Sequence, residues 1–87
     1  MNASTRELLR LAILRILAAN DSRYGLAPVT LTHFLPAEGF PNIHATDVLT
    51  ELDYFEEKGV AYQPPKSMSA ENHTWRITDA GRLQATR

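Results

Sequence analysis

Phe55-Glu56-Glu57-Lys58-Gly59-Val60 and Trp75-Arg76-Ile77-Thr78-Asp79-Ala80-Gly81-Arg82 together decide the fold. The first stretch reads as the end of a helix running into Gly59. Glycine takes the left-handed conformation in which helices commonly stop. Val60 and Tyr62 then alternate along a short strand, and Trp75 and Ile77 along a second. Pro64 to Asn72, between them, is polar and rich in small residues, too long for a tight turn and suited to a loop tip. Thr78-Asp79 follows, with a hydroxyl placed to cap one more helix. Trp75 reads as a core anchor, since a single Trp on an alternating strand packs inward.

Upstream of Gly59 the spacing predicts a third helix over about 43–58, with Asn42 as its candidate cap. Ala45, Val48, Leu49, Leu52 and Phe55 form its buried stripe. Thr46, Asp47, Thr50, Tyr54 and Glu57 point the other way. Phe40-Pro41-Asn42 is a turn. Thr30 is placed to cap a short second helix over about 30–37, through Leu31, Phe34 and Leu35, which Pro36 and Gly39 limit. Ala27-Pro28-Val29 reads as a short strand. Asn20-Asp21-Ser22 and Gly25 end the first helix, which covers about 4–19. Ser4-Thr5-Arg6-Glu7 reads as its capping box.

Helix one is apolar most of the way round. Leu8, Leu9, Ala12, Ile13 and Ile16 share one face, and Leu11, Leu14, Leu17 and Ala18 cover the other. Such a helix is buried on more than one side, and in so short a chain one side is expected to meet a second copy. Arg6, Arg10 and Arg15 lie off the main apolar face. They are placed to pair with Glu7 or with helix-three carboxylates of the same or a second subunit.

With 87 residues the chain is one domain, residues 1–87, with a single modest core. Apolar residues make up 44% and charged residues 22%, which is ordinary for a globular chain. The absence of cysteine fits a reducing cytoplasm. Met1 to Arg6 has no signal-peptide pattern. The longest apolar run, Leu11 to Leu14, falls far short of the ~20 residues of a membrane span. The expectation is a cytoplasmic protein with no membrane partner. His33, His44 and His73 lack metal-ligand spacing. The glycines are scattered rather than grouped around a phosphate, and Ser67 and Ser69 have no base placed by sequence. Neither an enzyme nor a metal or cofactor site is expected.

The residues Val48, Leu49, Leu52, Phe55, Lys58, Gly59 and Val60, then Trp75, Arg76, Ile77, Thr78, Gly81 and Arg82, resemble the winged helix-turn-helix superfamily. The likeness is greatest to small bacterial and phage regulators of the multiple-antibiotic-resistance and phenolic-acid-response types, and it covers nearly the whole chain. It implies an α+β fold: a three-helix core, a two- or three-stranded β wing over about 60–78, and a terminal helix over 79–86. It further implies a dimeric transcriptional regulator that binds double-stranded DNA. In such proteins the third helix lies in the major groove and the wing touches the backbone or minor groove. Carried over here, the groove-facing positions are Ile43, His44, Thr46, Asp47, Thr50 and Tyr54. Lys66, His73 and Arg76 then hold the backbone from the wing.

Charge opposes that reading. Ten Asp and Glu stand against nine Lys and Arg, a net charge of −1. Residues 44–58 hold Asp47, Glu51, Asp53, Glu56 and Glu57 against Lys58 alone. Affinity for DNA comes largely from cations that neutralise phosphates, and an acidic helix does the reverse. The alternative expectation is therefore a winged-helix protein-interaction module whose acidic helix three binds a basic partner, since fold alone does not decide function.

Overall fold

The structure, a computed structural model, describes residues 1–65 and 73–86. Residues 66–72 of the expected loop, Lys66 among them, lie outside the described residues.

The first helix, α1, spans Ala3–Ala19. Its cap is Asn2 rather than Ser4. Asn2 Oδ1 accepts from the Thr5 amide at 2.8 Å, and asparagine caps as well as serine does. Asn20 closes the other end, donating to the Ile16 carbonyl from its backbone at 3.0 Å and from its side chain at 2.9 Å.

Ala27–Val29 is not a strand. The pairing sits one residue earlier, where Leu26 and Trp75 exchange backbone hydrogen bonds at 2.9 Å each way. The chain then enters α2, Pro28–Phe34, with Pro28 in the first turn. Proline has no N–H for a ladder, and its fixed φ suits a helix start. A 3-10 turn, Leu35–Glu38, follows and ends at Gly39. The expected helix over 30–37 is thus two pieces, because Pro36 removes a helical donor.

α3 spans Ala45–Glu57, two residues shorter at its start than the periodicity predicts. Its cap is His44, not Asn42. The cause is Asp47, whose Oδ2 reaches back to accept from the His44 amide at 3.0 Å, as an acid three residues past a cap does. Gly59 ends the segment at φ 74°, the left-handed conformation its position predicts. The strands β1, Ala61–Tyr62, and β2, Arg76–Ile77, pair antiparallel, with Ala61 opposite Ile77 and Tyr62 opposite Arg76. α4 spans Asp79–Ala85. Thr78 Oγ1 accepts from the Gly81 amide at 3.1 Å and donates to the Gly59 carbonyl at 2.8 Å, so one hydroxyl joins the helix cap to the turn before β1.

The result is an α+β domain with four helices and a two-stranded antiparallel sheet between α3 and α4. Trp75, Phe55, Leu9, Ile13, Leu17, Leu31, Leu35, Leu52 and Val48 are the largest fully buried side chains among the described residues. The indole Nε1 of Trp75 donates to Glu56 Oε1 at 3.1 Å, which satisfies the one polar atom of this core anchor. α4 packs along α1, and Leu14 and Leu17 of α1 are buried. Most of the second apolar face of α1 is therefore covered within one chain. Leu8, 61% exposed, and the half-buried Leu11 remain at its surface. No helix among the described residues is long and apolar enough to cross a membrane.

Candidate functional site

α3 turns Val48, Glu51, Leu52 and Phe55 into the core. The opposite side of a 3.6-residue helix then carries Thr46, Leu49, Thr50, Asp53 and Glu57, and all five are exposed. Leu49, expected in the buried stripe, is 39% exposed. The stripe is narrower than its apolar residues suggest, because Glu51 occupies the core-facing position on one flank and leaves Leu49 outside on the other.

The five carboxylates of α3 fall into two groups. Glu51 is buried, accepts from Arg10 Nε at 2.6 Å and lies 3.9 Å from Arg6 Nε. Glu56 accepts from the Trp75 indole and, at 2.9 Å, from Gln63 Nε2. Asp47 closes the helix cap, and its carboxylate lies 3.6 Å from the His44 ring. Asp53 and Glu57, on the last two turns, are exposed and make no ion pair among the described residues. The acidic character of the helix is therefore concentrated at its C-terminal half.

Of the residues expected to face a partner, His44, Thr46 and Thr50 lie exposed along the first two turns of α3. Thr50 Oγ1 donates to the Thr46 carbonyl at 3.0 Å. Thr46 and His73 line one shallow groove of about 340 Å³. His73 Nδ1 lies 3.0 Å from Gln63 Oε1. The same groove is walled by Ala27, Pro28 and Val29 of the α2 entry, by Ala45 and Leu49 of α3 and by Trp75.

The remaining expected residues lie elsewhere. Tyr54 is half-buried on the flank toward α1, with the Arg10 guanidinium 3.7 Å above its ring and Lys58 Nζ at 5.7 Å. Ile43 packs against the core. Arg76 is bound to Asp21 through two hydrogen bonds, at 3.1 and 3.2 Å, and Arg82 donates to the same carboxylate. This bidentate bond to Arg76, reinforced by the Arg82 charge, holds the Asp21 carboxyl below its ordinary range. Asp21 in turn raises the Arg76 guanidinium.

Val29 and Leu49 were not singled out from sequence as partner-facing. Val29 was hidden by the strand reading of Ala27–Val29 and is 58% exposed on α2. Among the described residues no group of three or more His, Asp or Glu is placed to hold a metal ion. Comparison with protein-family models, with curated proteins and with solved structures finds no match.

Proposed function

We propose that this chain is a winged-helix DNA-binding protein, a transcriptional regulator of the bacterial or phage type, in which α3 enters the major groove and β1–β2 form the base of the wing. The observation that carries the reading is the neutral ridge of Thr46, Leu49 and Thr50 on the first two turns of α3. A reading helix meets base edges with its N-terminal residues. At that end Asp47 is spent on the cap, and Glu51 is buried against Arg10. Glu51 is thus withdrawn from the face that would meet DNA, while Asp47, its side chain 46% exposed, is engaged by the His44 amide and ring. Asp53 and Glu57 lie farther along the helix. Fluorescence polarisation with a random-sequence duplex at ~50 mM salt tests the proposal, because the phosphate contribution is strongest there. A protein that leaves every duplex unbound under those conditions overturns it.

A second reading keeps the fold as a protein-interaction module with a basic partner. It is favoured by Asp53 and Glu57, exposed and without an ion pair among the described residues. Charge reversal separates the two. Asp53→Lys with Glu57→Lys strengthens duplex binding on the first reading and abolishes a basic partner's binding on the second. A second copy joined through α1 would use Leu8 and Leu11, the apolar positions that α4 leaves open.

A further inference from the structure

Resting on the DNA reading above, we infer that the groove between α2 and α3 selects thymine through its 5-methyl group. Specific base reading in the major groove uses a small set of side chains: Arg or Lys for guanine, Asn or Gln for adenine, Asp or Glu for the cytosine amino group, and Ser or Thr with little selectivity. None of the first four residue types occurs between His44 and Thr50. The acid in that segment, Asp47, already accepts from the His44 amide. Thr50 has its hydroxyl proton on the Thr46 carbonyl. Beside the His73 ring, what the groove offers is mainly apolar: Leu49 at 39% exposure, Val29 at 58%, Pro28 and the Thr46 methyl group.

The groove they line, about 340 Å³, is open and shallow. A methyl group standing out from a base edge fits such a surface, whereas a base plane does not need it. The thymine 5-methyl is the one apolar substituent that unmodified B-DNA presents in its major groove. The walls come from two elements, with Val29 on α2 and Leu49 on α3, so neighbouring thymines on one strand are the expected target.

The test compares duplexes of equal sequence that carry thymine or uracil, which differ only by that methyl group. T-tract and G·C-rich duplexes are measured in parallel. Burying one methyl group is worth about fourfold in affinity. The expected result is tighter binding to the thymine duplex by about that factor for each methyl contacted. The difference narrows in Val29→Ala and Leu49→Ala, which are exposed positions the fold tolerates. Equal binding of thymine and uracil duplexes overturns the inference and leaves the DNA reading intact. Failure to bind any duplex removes both. If a Lys- and Leu-rich peptide then shifts the Val29 and Leu49 methyl resonances, the groove belongs to a protein partner.

Discussion

Arg10 of α1 donates from Nε to Glu51 Oε1 of α3 at 2.6 Å, and the two side chains differ sharply in exposure, at 26% and 6%. The pair is the polar tie between the first helix and the proposed reading helix. Its two ends are not equivalent. Removing Arg10 leaves a carboxylate in the core with only Arg6, at 3.9 Å, nearby. Removing Glu51 leaves a guanidinium that can turn to water. Breaking a buried pair costs several kcal/mol, whereas replacing a buried charge with an apolar group of similar size is often neutral. Arg10→Ala, which also loses the stacking on Tyr54, is expected to cost about 2–3 kcal/mol, and Glu51→Met about 1 kcal/mol or less. Urea denaturation measures both, and equal losses would contradict this asymmetry.

Gly59 and Gly81 are expected to respond differently to alanine. At Gly59 an added Cβ meets nothing within 4 Å, and only the positive φ of 74° opposes it. Gly59→Ala should cost about 1 kcal/mol, and Gly59→Asn less. At Gly81 the same atom would sit 2.2 Å from the Val60 carbonyl oxygen, a backbone atom in the turn leading to β1. α4 must then back away from the sheet. Gly81→Ala should cost about 3 kcal/mol or more, visible as a large fall in thermal midpoint or as loss of the folded state.

Asp21 links the loop after α1 to β2 and α4 through Arg76 and Arg82. Its carboxyl is held below the ordinary 3.8, chiefly by the hydrogen bond from Arg76. A depressed carboxyl contributes stability that is present above its unfolded value and is lost as pH falls through the lower folded value. Wild type should therefore melt above Asp21→Asn at neutral pH. The gap should persist down to about pH 4 and close below it. Thermal melts at steps from pH 7 to pH 2 check the sign; a gap that widens on acidification would exclude the assignment.

If α3 enters DNA, the salt dependence should be shallow. Arg10, Arg76 and Arg82 are committed to carboxylates, which leaves Arg15, Arg23 and Lys58 as exposed cations outside any ion pair among the described residues. Each phosphate neutralised adds about −0.9 to the slope of log K against log salt. With Lys66 and Arg87, which lie outside the described residues, these cations bound the slope at about −4.5 in polarisation titrations. A value near −6 would require cations that this arrangement does not supply.

Dimerisation is separately checkable. Leu8→Glu should leave the fold intact, since Leu8 is 61% exposed. Sedimentation velocity should find it monomeric at concentrations where wild type is dimeric. A wild type that remains at the 9.8 kDa of one chain up to millimolar concentration would remove the α1 interface.

The helix boundaries that sequence misplaced share one cause. Ser4, Thr30 and Asn42 are all good caps, yet Asn2, Ala27 and His44 hold those positions. Several residues near each start could serve. The choice went to the one whose neighbours, Thr5, Pro28 and Asp47, completed the turn. Gly59 was legible because no second glycine stands near it, and Thr78 holds its cap against the neighbouring Asp79 while its hydroxyl also donates to the Gly59 carbonyl. Among the residues expected to face a partner, the exposure of Thr46 and Thr50 was legible from helical period alone. Tyr54 was not, because its position on the flank of α3 became a half-buried one only when Arg10 stacked on it.

From sequence alone came the succession of α3, Gly59, two short strands and a Thr-capped α4. Periodicity, glycine conformation and capping act over a few residues, and the chain carries them locally. Only the tertiary structure decided which charges pair within the chain and which stay exposed. Forty-one positions separate Arg10 from Glu51, and fifty-five separate Asp21 from Arg76. An acidic helix and a basic helix read separately cannot reveal that a carboxylate of one neutralises a guanidinium of the other. Electrostatic pairing depends on distance in space, and that distance is set by how α1 packs on the core.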